Sequence, residues 1–422
     1  MKAIRYSLWM LYFLVLVQSA EVGYPQVKSK SEEPKSGVET EIPGSWDSQN
    51  RKDWEVVDQH LRDAIESKKI AGCSALVIQN GREEFFGSWG FRETKMNQPC
   101  ERDTVFRIYS MTKPIVSIAA LQLVERGNLE LDASLSRYLP EFSNPKVLVE
   151  SPNQKGFEEV DAQREITVRD LLRHSSGLTY GFFGNSEVDR MYKKAGVLFF
   201  EQDLSQLTEK LGKLPLLYQP GTRFHYSVSS DVLGRVIEVA SKQDLNVYLQ
   251  NNIFNPLDMS DTSFNVPADK LQRLAELYRP DVGGITPCAA WESMRFKNPA
   301  NRFYSGGHGL CSTIDDYANF CRMLLNTGQF NGRQVVSEEL LNEAFTDQLD
   351  DLKNKSTGFQ FGLGFRISRN GDLGWGGAAG TRFWINREKD LLVLYMVQIK
   401  PDGGSPEAEF LLRHARKVLR KS

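Results

Sequence analysis

Phe106-Arg107-Ile108-Tyr109-Ser110-Met111-Thr112-Lys113-Pro114-Ile115 runs straight into a nearly unbroken apolar segment that ends at Val124, with Arg126-Gly127 behind it. A cation followed by glycine is a common helix stop, so the segment predicts a helix over Ile115 to Val124. Apolar residues on every side place that helix inside the protein and not on its surface. Pro114 is tolerated only near the first turn, which puts Ser110 at the positive N-terminal end. Ser110 and Lys113 are three apart and share a face. An amine held beside a serine hydroxyl at the edge of an apolar body can take the hydroxyl proton and leave a nucleophile. The spacing alone is weak evidence, because Ser143-Asn144-Pro145-Lys146 repeats it with a central proline and polar surroundings. The buried helix behind Ser110 separates the two.

Outward from that helix, the N-terminus has a basic end (Lys2, Arg5), an apolar core from Leu8 to Val17 and then Gln18-Ser19-Ala20. This order predicts a secretory signal peptide over residues 1–20, cleaved after Ser19 or Ala20. Its core is too short for a membrane span, and no cysteine follows it to carry a lipid, so no stable membrane anchor is expected. Residues 21–45 mix Lys, Ser, Glu, Pro and Gly and read as a linker. Loss of Lys2 and Arg5 takes the formal charge from -2 to -4. So mild a balance points to neither nucleic acid nor an anionic surface as partner. The five cysteines are irregularly spaced and odd in number, which favours buried thiols over a disulfide framework. No Cys/His spacing suggests a metal, and no cofactor is called for.

The folded part is expected over residues 46–422. It opens with a helix from Trp54 to Ser67 and a hairpin from Ala75 to Phe86 turning at Asn80-Gly81. Three further strands are expected at Gly362–Ile367, Thr381–Asn386 and Leu391–Val397, then a closing helix over Pro406–Lys421. Strands at both ends around a helix-rich middle predict an α/β protein of the α+β type. One antiparallel sheet lobe (about 46–125 and 305–422) is built from both termini, and a mostly helical lobe (about 126–304) is inserted between them.

Two more stretches carry candidate chemistry. In Pro220-Gly221-Thr222-Arg223-Phe224-His225-Tyr226-Ser227-Val228, Tyr226 stands just ahead of a helix whose apolar residues begin at Val232. It is either packed at a lobe seam or a proton shuttle beside Ser110. In Leu373-Gly374-Trp375-Gly376-Gly377-Ala378-Ala379-Gly380-Thr381-Arg382, glycines at a strand edge let backbone come close to a ligand and offer N–H groups to an oxyanion. A bulged strand packed on Trp375 is the structural alternative.

Taken in order, these stretches resemble the serine hydrolases of the class C β-lactamase and penicillin-binding type, including their EstB-like esterase branch. The resemblance covers about residues 50–420. It extends to Arg137-Tyr138-Leu139-Pro140, Leu171-Leu172-Arg173-His174-Ser175-Ser176-Gly177-Leu178, Asn255-Pro256-Leu257-Asp258-Met259 and Gly306-Gly307-His308-Gly309-Leu310. It implies a β-lactamase/DD-peptidase-like fold with Ser110 as acylated nucleophile, Lys113 as its helper and Tyr226 as general base and later acid. The oxyanion N–H groups would be those of Ser110 and Ala378, with no metal or cofactor. His174, His225 and His308 are then not triad bases. Two departures bear on substrate. Val228 stands where the family's amidases have the Asn of Tyr-x-Asn, and Trp375-Gly376-Gly377 replaces Lys-Thr-Gly, so a substrate carboxylate finds no cation or hydroxyl there unless Arg382 supplies one. The resemblance therefore implies an exported, periplasmic or extracellular esterase acting on small neutral esters, with Val228 and Trp375 in the apolar wall. A β-lactamase or D-amino-acid peptidase is the alternative, and a silent binding module the third reading. Oligomeric state is not legible.

Overall fold

The computed structural model describes residues 42–48, 51–151, 156–350, 352, 359–401 and 405–419. The expected signal peptide and nearly all of the linker lie outside the described residues. Nine strands form one antiparallel sheet: β1 (Gly44–Ser48), β2 (Gly72–Gln79), β3 (Arg82–Glu93), β4 (Gln98–Pro99), β5 (Gln360–Phe361), β6 (Arg366–Ile367), β7 (Leu373–Gly376), β8 (Arg382–Asn386) and β9 (Leu391–Val397). Their spatial order is β1-β3-β2-β9-β8-β7-β6-β5, with β4 on β3. β1 begins inside the stretch read as linker. The β2–β3 hairpin turns at Asn80 (φ 51°) and Gly81 (φ 72°), the pair of left-handed residues that a tight hairpin of this hand requires. β9 pairs with β2 along its full length, Leu394 opposite Leu76, and so joins the two ends of the chain in one sheet.

Side chains alternate between the two faces of that sheet, and both faces are buried. Ala75 and Val77 of β2 with Val393 and Tyr395 of β9 meet helix α1 (Arg51–Glu66), through Trp54, Val57 and Leu61. Leu76, Ile78, Leu392 and Leu394 point to the other face, which the helix Ile314–Leu325 covers, and belong to the same core as helix α2 (Thr112–Glu125). Two more helices of the second lobe and the sheet's back follow, α3 (Ser229–Ser241) and α4 (Ile314–Leu325), and α5 (Pro406–Val418) closes the α1 face with Leu411 and Leu412.

Every residue of α2 from Thr112 to Leu123 is buried. Truncating one of its fully covered leucines, such as Leu121, would cost about 2–5 kcal/mol. The helix stops as Arg126-Gly127 predicts. Gly127 turns left-handed (φ 69°), its N–H donates to Val124 O at 2.9 Å, and the N–H of Asn128 donates to Leu123 O at 2.9 Å.

Two expectations need correction and a third is extended. Gly362–Ile367 is not one strand, because Gly364 (φ 91°) breaks it where the chain passes α2 so closely that a Cβ would lie 2.0 Å from Ser117 Oγ. The inserted region carries two hairpins besides its helices, Lys146–Glu150 with Phe157–Asp161 and Tyr278–Asp281 with Gly284–Pro287. Val228 is fully buried in the main core and presents no surface to a ligand, so it is not part of an apolar wall.

Candidate active site

The backbone ahead of α2 is shaped around Ser110. Arg107 pairs with Cys311 in a short ladder, and the Ile108 N–H donates to Leu310 O at 3.0 Å. Tyr109 then takes a left-handed conformation (φ 43°), costly for a residue with a Cβ, before a single 3-10 turn over Tyr109–Met111 enters the helix. Packing offsets that cost: the Tyr109 ring is buried edge-on against Phe296, centroids 6.0 Å apart. Ser110 is left partly exposed at the head of a helix that is otherwise sealed.

Lys113 lies one turn into that helix and is 2% exposed. Its Nζ is 2.7 Å from Gly307 O and 3.4 Å from Ser110 Oγ. It also sits over the faces of Tyr226 and Tyr180, 4.6 and 5.5 Å from the ring centroids, a favourable place for a cation. A buried carboxylate that feels the Lys113 charge is Asp231, on the first turn of α3. Burial pushes the Asp231 carboxyl up, while the Ser305 hydroxyl (2.5 Å), the Lys113 charge and the Gly307 N–H (3.1 Å) pull it down. Gly307 is required by this crowding, because a Cβ there would meet Asp231 Oδ2 at 2.6 Å and the Tyr180 hydroxyl at 2.9 Å.

Tyr226 reaches the same point from the other lobe. Its hydroxyl is 2.8 Å from Ser110 Oγ. The segment that carries it is laid against the His174 turn: His174 (φ 55°) accepts the His225 N–H at 2.7 Å, and Ser175 O accepts the Gly221 N–H at 2.8 Å. The turn is itself held by Asp170, which receives Arg164, Arg173 and Ser175. The His174 ring lies 4.8 Å from that of Tyr226, and burial together with the Lys113 charge keeps it far below the usual histidine range, hence neutral. His308, bonded to Ser305 Oγ at 2.5 Å, is held neutral by burial, Arg295 and Lys113. His225 is lowered by burial and meets Thr179 Oγ1 at 3.3 Å. None of the three shows a bond to Ser110 Oγ; among the described residues, the groups that do are Lys113 and Tyr226.

The third stretch closes the other side. Gly377 packs onto the carbonyl of Ile108, two residues before Ser110; a Cβ at that position would lie 2.4 Å from the oxygen. Thr381 Oγ1 donates to the same carbonyl at 3.4 Å, and the Gly377 N–H donates to Thr381 O at 2.8 Å. These bonds hold the Gly377–Thr381 turn against the Ser110 turn. The N–H of Ala378, at the tip, donates to nothing among the described residues and is open to a ligand. Gly376 pairs with Arg382 across β7 and β8, and Arg382 Nη1 is turned onto the carbonyls of Gly377 (3.0 Å) and Thr381 (2.8 Å). Trp375, half-buried, stands 5.6 Å from the Tyr226 ring and 5.3 Å from that of Phe361. A hydroxyl with an amine and a phenol on it, beside a free backbone N–H, is suited to acyl transfer through an oxyanion.

Tyr180, Asp231, Ser305 and Gly307 support this cluster and were not singled out from the sequence. Only Gly307 lies within one of the quoted segments, Gly306–Leu310; Tyr180 and Ser305 stand just beyond Leu171–Leu178 and just before Gly306–Leu310, and Asp231 carries no signal of its own. All five cysteines are buried free thiols. Among the described residues no helix is long and apolar enough to cross a membrane.

Comparison with known proteins identifies the family. The family profile described as Beta-lactamase matches residues 57–416. The chain is 30% identical to Esterase EstB of Burkholderia gladioli, over 85% of this chain and 93% of that protein. It is 34% identical to the Lovastatin esterase of Penicillium rubens, over 86% and 98%. Among solved structures, "EstCE1, a hydrolase with promiscuous acyltransferase activity" superposes with a TM-score of 0.74 at 24% identity, covering 86% of this chain and 98% of that one.

Proposed function

Because the chain belongs to the beta-lactamase family and is a serine hydrolase of that fold, we propose that it is an exported carboxylesterase working through an acyl-enzyme on Ser110. The observation that carries the proposal is the convergence of the Tyr226 hydroxyl (2.8 Å) and the Lys113 amine (3.4 Å) on Ser110 Oγ. Tyr226, acting as the phenolate beside the Lys113 ammonium, takes the serine proton as Oγ attacks the ester carbonyl and so becomes the neutral phenol. The tetrahedral oxyanion is held by the N–H groups of Ser110 and Ala378. The intermediate collapses, Tyr226 returns the proton to the departing alkoxide, and the alcohol leaves. Water then attacks the acyl-Ser110 ester by the same path, giving the carboxylic acid and the free hydroxyl.

Preference for esters over β-lactams or D-peptides rests on the third stretch. Trp375-Gly376-Gly377 offers a substrate carboxylate no cation or hydroxyl, and Arg382 is spent on its own loop's carbonyls. One charge-assisted bond missing is worth about 1.5–3 kcal/mol, roughly 10- to 150-fold in specificity. Both relatives described above are esterases, which supports the same reading. Export rests on the order of residues 1–20 alone. The test compares kcat/KM for p-nitrophenyl butyrate, a cephalosporin and a D-alanyl-D-alanine peptide on one preparation, with Ser110→Ala as blank. A β-lactam or peptide constant equal to or above the ester's would favour the amidase reading instead.

A further inference from the structure

Phe182 and Phe183 leave 48% and 38% of their surface in water, although both belong to an aromatic cluster that reaches the candidate proton donor. Phe183 lies 5.8 Å from the Tyr226 ring, Phe182 4.3 Å from Phe183, and the buried Tyr180 bridges them at 5.2 and 5.6 Å. The loop that presents them is fixed at both ends. Gly181 (φ 83°) donates its N–H to Thr179 Oγ1 at 3.2 Å, and that hydroxyl donates to the buried Asp189 at 2.7 Å. At the other end Gly184 has no room for a Cβ, which would lie 2.4 Å from Asp189 Oδ2, and Ser186 donates to that carboxylate at 2.6 Å. Two large rings held outward on a pinned loop are a poor arrangement for an unliganded surface and a good one for an apolar ligand.

Which part of a substrate meets them follows from the proton path. On the carboxylesterase reading, Tyr226 delivers its proton to the leaving oxygen, so the alcohol half of the ester must lie against Tyr226. We infer that Phe182 and Phe183 form the alcohol subsite, a platform selecting esters of aromatic or bulky polycyclic alcohols. This inference rests on the esterase reading. Trp375 also flanks Tyr226, at 5.6 Å, and adds an indole to the aromatic surface around the leaving oxygen.

The experiment holds the acyl group at butyrate and compares the methyl, benzyl and 2-naphthylmethyl esters, whose alcohols differ little in acidity and much in aromatic area. The readout is the ratio of kcat/KM for the naphthylmethyl ester to that for the methyl ester. Phe182→Ala/Phe183→Ala should lower this ratio about 10- to 100-fold, the range for losing apolar contacts to one substrate group. Phe182→Tyr/Phe183→Tyr should keep it within about threefold. A methyl-ester series from acetate to octanoate should keep the shape of its chain-length profile in both variants. An unchanged ratio in the folded alanine variant, or an altered acyl profile with the alcohol ratio intact, overturns the inference and leaves the esterase reading standing. A lower mass of the alanine variant by sedimentation would assign the rings to self-association and overturn it too. Wild-type protein that turns over no ester faster than Ser110→Ala refutes the esterase reading itself, and the inference with it.

Discussion

Replacing Gly377 by alanine puts a Cβ 2.4 Å from the Ile108 carbonyl oxygen and 2.2 Å from Thr381 Oγ1. The threonine can rotate away, at the expense of its bond to the same carbonyl. The carbonyl cannot, because it belongs to backbone that leads directly into Tyr109 and Ser110. Ordinary contact begins near 3.4 Å, so the turn carrying Ala378 must retreat by about 1 Å from Ser110. Misplacement on that scale costs on the order of 10²-fold in rate when the displaced group helps to hold the transition state. The overpacking itself costs about 1–3 kcal/mol, a fall of a few degrees in Tm, so the variant should stay folded. The expected result is therefore a large loss of kcat/KM on p-nitrophenyl butyrate with a small loss of Tm. Gly371→Ala is the control. Gly371, unlike Gly377, is left-handed (φ 75°), but it has nothing within 4 Å of a Cβ, so it should lose some stability and no activity. A folded Gly377→Ala enzyme within about threefold of wild type would refute the placement of the third stretch in the site.

Three other outcomes follow from the same geometry. Lys113→Ala and Tyr226→Phe should each lower kcat by about 10² to 10⁴, and the double variant should be far less damaged than their product, because both act on one proton; independent, multiplying losses would disprove the shared path. Asp316 is pushed up to about 6, by burial first, while Thr262 and the Asp261 N–H pull it back. Its folded pKa exceeds the unfolded one, so its neutral form contributes stability below about pH 4 that is lost as pH rises through about 6. The stability of wild type relative to Asp316→Asn should thus fall by up to about 3 kcal/mol between pH 4 and 7, seen in paired melting curves, and a constant or rising difference would contradict the assignment. The mature N-terminus, read by mass spectrometry from the native source, should be near Ala20 or Glu21; intact Met1 in a cytosolic fraction would reject export.

How much of this was legible in the chain depended on whether the signal was local. Asn80-Gly81 named its own turn, and Leu391–Val397 was bounded correctly, since an apolar run with turn residues at its ends carries its own limits. The Ser110–Lys113 pairing was readable because helix spacing fixes it. Tyr226 was placed by resemblance, since nothing within its own segment says that it crosses a lobe boundary to Ser110. The left-handed Tyr109 had no sequence signal, because its strain is balanced by Phe296, far along the chain. Val228 looked like a wall residue from its motif position, yet its side chain turns into the core at the start of α3. Gly364 read as an ordinary strand residue because its close neighbour, Ser117, is distant in sequence.

The central claim, an acyl-enzyme on Ser110, is tested most directly by trapping it. The enzyme is quenched during turnover of a slowly deacylated p-nitrophenyl ester, and intact and peptide masses are read. The account predicts one acyl group, located on Ser110, and none in Ser110→Ala. Acyl mass on another residue, or its persistence in folded Ser110→Ala, would contradict it.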